Sequence, residues 1–114
     1  MERSEQQKLA ELVVAGYSRP DIQWHETKTD YISGCAGRFQ ACPMGAAYAG
    51  HCANMEVEDL YNSVQIALES WIPGWLFIAN RLNISSELSH RVSNVHSCGQ
   101  TAKEIVAKLQ NNEF

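Results

Sequence analysis

No stretch of this sequence strings together eighteen uncharged apolar residues, so no segment reads as a membrane-spanning helix. The start, Met1-Glu2-Arg3-Ser4-Glu5-Gln6-Gln7-Lys8, is polar and has no apolar run behind a positive region, as a secretory signal would. A soluble, cytoplasmic protein is expected. Basic residues are scarce too: nine Lys and Arg stand against thirteen Asp and Glu, a net charge of -4, and the nine are scattered. A nucleic-acid binder needs a clustered basic footprint to neutralise phosphates, which excludes that class. Phosphate-cradling glycine loops, EF-hand spacing and paired carboxylates are likewise missing.

Ligand spacing for zinc is also lacking. Structural zinc sites pair their ligands as C-x2-4-C, whereas six residues separate Cys35 from Cys42, and Cys52 and Cys98 stand apart. In a reducing compartment these four read as buried or free thiols rather than bridges. Cys42 falls at a helix start, where a thiolate is stabilised, but no catalytic signature surrounds it and no base is fixed near it. His51 reads as a partly buried polar residue, and His25, His90 and His96 as surface or helix-end residues. The competing reading is a small zinc-binding or thiol-dependent protein using Cys35, Cys42, Cys52 and Cys98, with His96.

What is present is a globular balance, 45% apolar and 19% charged over 114 residues, enough for one domain spanning 1–114 with its own core. Ser4 with Gln7 forms a capping box, and Leu9, Leu12 and Val13 then give a helical stripe over about residues 5 to 15. Arg19-Pro20 forces an extended exit. Ile22-Gln23-Trp24 alternates as a strand would and Tyr31-Ile32 follows, so residues 21–33 fit a short β-hairpin or an irregular loop. Gly34 to Arg38 reads as a flexible approach to the next helix.

That next helix, about residues 43 to 53, is the organising element. Cys42 is its N-cap and Pro43 its N1 residue, where a missing amide hydrogen costs nothing. On a helical wheel Gly45, Ala46, Ala49, Gly50 and Ala53 make one smooth side and Met44, Tyr48, Cys52 and Met55 a bulky one. A smooth face lets a neighbouring backbone approach closely. Asn54 can end this helix or cap the next, on which Val57, Leu60, Tyr61, Val64, Leu68 and Trp71 recur at the spacing of one inward face. Ile66 lies opposite.

Ile72-Pro73-Gly74 stops that helix, and Trp75-Leu76-Phe77-Ile78-Ala79 follows, apolar on every side. Such a segment is either wholly buried or part of a surface another protein covers. Ser85 or Ser86 caps a further helix through Leu88, Val92 and Val95, closed by Gly99. Thr101-Ala102-Lys103-Glu104 opens the last, with Ile105, Val106 and Leu109 inward and a tail, 111–114, expected to fray. A helix-turn-helix reading of 101–109 would need a recognition helix after it, and none follows. The fold class expected is mainly α, an orthogonal or irregular bundle of about five helices.

Three stretches carry a family resemblance. Leu9 to Gly16 resembles a Leu-x-x-x-(hydrophobic)-x-x-Gly helix, Cys42-Pro43-Met44-Gly45-Ala46-Ala47 resembles a Cys-Ala-Leu-Gly-Ala-Ala helix start apart from Pro43 and Met44, and Glu104 to Leu109 echoes a Glu-Glu-Ile-Ala-Asp-Trp-Leu ending without its tryptophan. These belong to a group of small bacterial helical proteins, and in length and character the chain is similar to the QslA-like quorum-sensing antiactivators. With no catalytic or metal-ligand pattern in the residues, a protein without enzymatic activity or cofactor is expected, and the resemblance implies a helical protein that acts by binding a partner. It would bind the ligand-binding domain of a LuxR-type transcription regulator (LasR) and block its dimerisation; apart from the resemblance, self-association as a homodimer is expected. No signature marks partner-binding positions in that group. The residue types point instead to Trp71, Ile72, Trp75, Leu76 and Phe77, since Trp, Leu and Phe anchor protein interfaces.

Overall fold

The computed structural model describes residues 3–22, 31–35 and 38–114, apart from the side chains of Cys35 and Arg38. The element order is α1 (Glu5–Tyr17), β1 (Ile32–Cys35), β2 (Arg38–Ala41), α2 (Pro43–His51), α3 (Val57–Glu69), α4 (Gly74–Leu82), α5 (Ser86–Ser97) and α6 (Ala102–Gln110). The protein is mainly helical, with one two-stranded antiparallel ribbon between the first two helices. None of the described helices is long and apolar enough to cross a membrane.

The α1 capping box forms as the sequence implies: the Gln7 amide donates to Ser4 Oγ at 3.2 Å and the Ser4 amide to the Gln7 side chain at 3.1 Å. Leu9, Ala10 and Val13 are buried. The helix continues to Tyr17, past the expected end, because Tyr17 is itself buried and donates its hydroxyl to the Ala41 carbonyl at 2.7 Å.

In the ribbon, Ile32 pairs with Ala41 and Gly34 with Phe39. Gly34 and Cys35 are therefore strand residues rather than a flexible approach. Glycine fits here because the Phe39 ring lies across it, close enough that a Cβ on Gly34 would fall 2.6 Å from Phe39 Cε1. Of the strand read at Ile22-Gln23-Trp24, only Ile22 is described, in an isolated parallel bridge to Phe39. Gln23, Trp24 and His25 lie outside the described residues.

Helix α2 is central and is buried at every position from Pro43 to Ala49. Its smooth side meets α1 backbone to backbone: a Cβ on Gly50 would fall 2.2 Å from the Leu12 carbonyl oxygen. Gly45 faces elsewhere, against the Tyr31 carbonyl oxygen at 1.7 Å from the same kind of hypothetical Cβ. The helix ends at His51, earlier than the pattern suggests. Arg19 closes it, donating to the carbonyls of Ala49 at 2.9 Å and Cys52 at 3.2 Å while Asp21 holds the guanidinium at 2.9 Å. His51 is exposed, contrary to its reading as partly buried.

Helix α3 buries Val57, Leu60, Val64 and Ala67. Leu68 and Trp71, read as part of that face, are exposed: the inward arc closes at Ala67, and α3 ends before Trp71. Trp75 to Ala79 belong to α4, which brings the helices among the described residues to six, against the about five expected. Here Pro73 is the N-cap and so starts a helix rather than merely ending one, and α4 turns Ile78, Ala79 and Leu82 inward.

Ser85 Oγ caps α5 by accepting from the Leu88 amide at 3.1 Å, and Thr101 does the same for Glu104 at 3.2 Å on α6. The tail does not fray. Phe114 packs on the core, its amide and carbonyl exchange hydrogen bonds with the Gln6 side chain at 3.0 and 2.8 Å, and Asn112 bonds Ser4.

Candidate functional site

Four helix ends share one backbone design. After α3, α4, α5 and α6, a residue with positive φ is followed by an amide that reaches back five positions to a helix carbonyl: Ile72 to Ala67, Ile84 to Ala79, Gln100 to Val95 and Glu113 to Lys108. This closure favours glycine or asparagine, which tolerate the left-handed region. Three of the four comply, with Asn83, Gly99 and Asn112. The fourth is Trp71, at φ 63.

A tryptophan held there is strained, and its side chain gains nothing from the core, since Trp71 is 95% exposed. Ile66, 64% exposed, and the exposed Leu68 and Ile72 lie on the same end of α3. Beside them a groove of about 250 Å3 is lined by Ile66, Ile72, Phe77 and Arg81, among others. Protein surfaces seldom gather such side chains without a partner to cover them.

The five residues singled out in the sequence divide by environment. Trp71 and Ile72 are exposed, while Trp75, Leu76 and Phe77 are half-buried. Trp75 lies against the His90 ring, centroids 4.6 Å apart. Phe77 is fixed from two sides, edge-on to Tyr48 at 5.6 Å and under the Arg81 guanidinium at 5.1 Å. Arg81, which the sequence reading passed over, gives the groove a cation in a chain of net charge -4.

Among the described residues no group of three or more His, Cys, Asp or Glu is placed to hold a metal ion. Cys42 is buried, Cys52 half-buried and Cys98 exposed, and all three are thiols. Burial pushes the Cys52 thiol up, against the pull of Arg81 and Arg19. Cys42 lies on a small, partly open pocket with Tyr31, Pro43, Met44, Val92, Ser93, His96 and Ser97. His96, read as a surface or helix-end residue, is at the helix end but only 4% exposed. Its Nδ1 lies 3.0 Å from the Gln100 carbonyl oxygen.

Tyr31 joins this pocket to α4: a Cβ on Gly74, the first residue of α4, would fall 2.2 Å from the Tyr31 ring. Burial pushes the Tyr31 phenol up, the Ser93 hydroxyl works the other way, Cys42 adds to the rise, and the Trp75 backbone amide opposes it.

No protein-family model matches this chain, and comparisons with curated proteins and with solved structures find no match either. What the chain does has to be read from its own surfaces.

Proposed function

We propose that this protein is a non-enzymatic, cytoplasmic regulator that binds another protein through the surface around Trp71, and that its partner is the ligand-binding domain of a LuxR-type transcription regulator such as LasR. The observation that carries the binding surface is Trp71 itself: a large aromatic side chain held in a strained backbone position and left in water. Strain of this kind persists where function needs it. A folding motive would favour glycine at the site.

The kind of partner follows from the family resemblance of Leu9–Gly16 and Cys42–Ala47, and it suits the acidic balance of the chain. An antagonist of a DNA-binding factor has no use for a basic face, and stoichiometric masking of a dimer interface demands affinity rather than turnover. Exposed Trp71, Ile72 and Ile66 supply the apolar anchors, and half-buried Trp75, Leu76 and Phe77 support them from α4. Self-association as a homodimer belongs to the same reading.

Size-exclusion chromatography with light scattering tests it, run on the protein alone and mixed with the regulator's ligand-binding domain. A co-eluting complex that lacks the regulator's own dimer is expected. Two separate, unchanged peaks would sink the proposal.

A further inference from the structure

Trp71 stands between two residues, Ser70 and Ile72, that line the groove on α3 and α4, yet it does not line the groove itself. At 95% exposure its side chain projects into solvent beside a recess that it leaves unfilled on its own chain. One face thus carries both a large apolar projection and an apolar recess. Two copies related by a two-fold axis satisfy both at once, the indole of each entering the groove of the other, because a two-fold contact sets the same patch against itself.

The lining suits that occupant. Ile66, Ile72 and Phe77 supply apolar walls. The two hydroxyls in the groove are already committed, Ser63 Oγ donating to the Asp59 carbonyl and Ser70 Oγ to the Ile66 carbonyl, both at 2.9 Å. Covering them therefore strands no donor. Arg81 covers the Phe77 ring, its guanidinium 5.1 Å from the ring centre, and is itself exposed, so a second aromatic ring can stack on its outer face.

Charge points the same way. Among the described residues Arg81 is the only charged one lining the groove, in a chain of net charge -4, and no carboxylate is paired with it. Glu69, two residues before Trp71, is exposed and has no cation paired with it among the described residues. An indole entering the opposite groove carries Glu69 towards the Arg81 of that copy, and the two-fold axis repeats the pair. Acidic copies repel one another in general; at this face opposite charges meet.

We propose that two copies of this chain pair through this face, each Trp71 seated in the other copy's groove against Phe77 and Arg81, with Glu69 facing the opposite Arg81. The pairing rests on the reading of the Trp71 surface as one that another protein covers, and makes a second copy its occupant in the free protein. Two buried indoles account for about 300–500 Å2. A contact built around them falls among the weak, transient interfaces of less than about 1,200 Å2. A pair this weak yields the same face to a tighter partner.

Sedimentation velocity on the 114-residue chain, from low micromolar concentrations to about 1 mM, measures the pairing. A reversible monomer–dimer equilibrium is expected, weakened at least about tenfold by Trp71→Ala. Arg81→Glu and Glu69→Lys should each weaken it too, since each sets like charges against one another at both contacts, with circular dichroism verifying the fold. Mixed in equal amounts, these two variants should pair again, because in the mixed dimer both contacts join opposite charges. A variant damaged in folding would show no such rescue. The regulator is absent from every sample, so failure here leaves its binding to Trp71 to stand or fall by its own titration. A chain that stays monomeric throughout, a dimer indifferent to Trp71→Ala, assembly beyond the dimer, or a mixture that pairs no more tightly than its separate variants would each overturn the proposal.

Discussion

Gly16 of α1 lies so close to Ala46 of α2 that a Cβ on Gly16 would fall 1.7 Å from the Ala46 carbonyl oxygen. The obstacle is backbone, so no side-chain rotation relieves it. Gly16→Ala should therefore force the two helices apart and cost about 1–3 kcal/mol or more. Gly45→Leu and Ala49→Leu, both in the fully buried part of α2, should unfold the protein outright. Thermal denaturation followed by circular dichroism checks all three, and an unchanged midpoint for Gly16→Ala would show that the helices are not in such contact.

Trp71→Gly should do the opposite to stability. It places the residue that tolerates positive φ where Trp71 stands at φ 63 and removes a side chain that touches little. A gain of about 0.5–1 kcal/mol is expected, the left-handed strain relieved less the flexibility glycine adds to the unfolded chain. Urea denaturation measures it. A loss of stability would mean that Trp71 contributes to folding and has no need of a partner to explain it.

Trp75 and Phe77 should separate cleanly. Phe77 packs against Tyr48 and Arg81 and belongs to the rim of the core, so Phe77→Ala should cost about 2 kcal/mol or more. Trp75, half-buried and against exposed His90, should tolerate Ala with folding largely kept and partner affinity lost. The comparison needs only melting curves and one binding assay per variant. Should Trp75→Ala melt as badly as Phe77→Ala, the whole of α4 belongs to the core.

Two groups make stability fall in alkali. The folded state raises the Cys52 thiol above 9.0 and the Tyr31 phenol above 10.0, in both cases chiefly through burial. The folded state thus holds these protons more tightly than the unfolded chain does. Their stabilising contribution is complete below pH 9.0 and declines as pH rises through the thiol and then the phenol range. Denaturant titrations across that range should show the decline, and Cys52→Ser should flatten its first part.

Much of this architecture was legible because it is local. Ser4, Cys42, Ser85 and Thr101 were readable as caps since a cap depends on the next three residues, and the smooth face of α2 was visible as small side chains at helical spacing. What escaped was set by distant partners. Tyr17 prolongs α1 to reach Ala41, Arg19 ends α2 early, and Gln6 holds down the tail at Phe114, none of which periodicity can reveal. Trp71 was misread as the last inward residue of α3, because spacing alone does not show that the helix has already ended. The pocket at Cys42 was hidden for the same reason, its lining coming from positions as far apart as Tyr31 and Ser97.

The central claim is that the Trp71 surface binds a transcription regulator. Isothermal titration of the regulator's ligand-binding domain with the unmodified chain and with Trp71→Ala tests it most directly. The account predicts tight binding by the first and a loss of at least about tenfold for the second, the behaviour of an aromatic anchor at an interface centre. Equal affinity of the two proteins, or no heat from either, would contradict it.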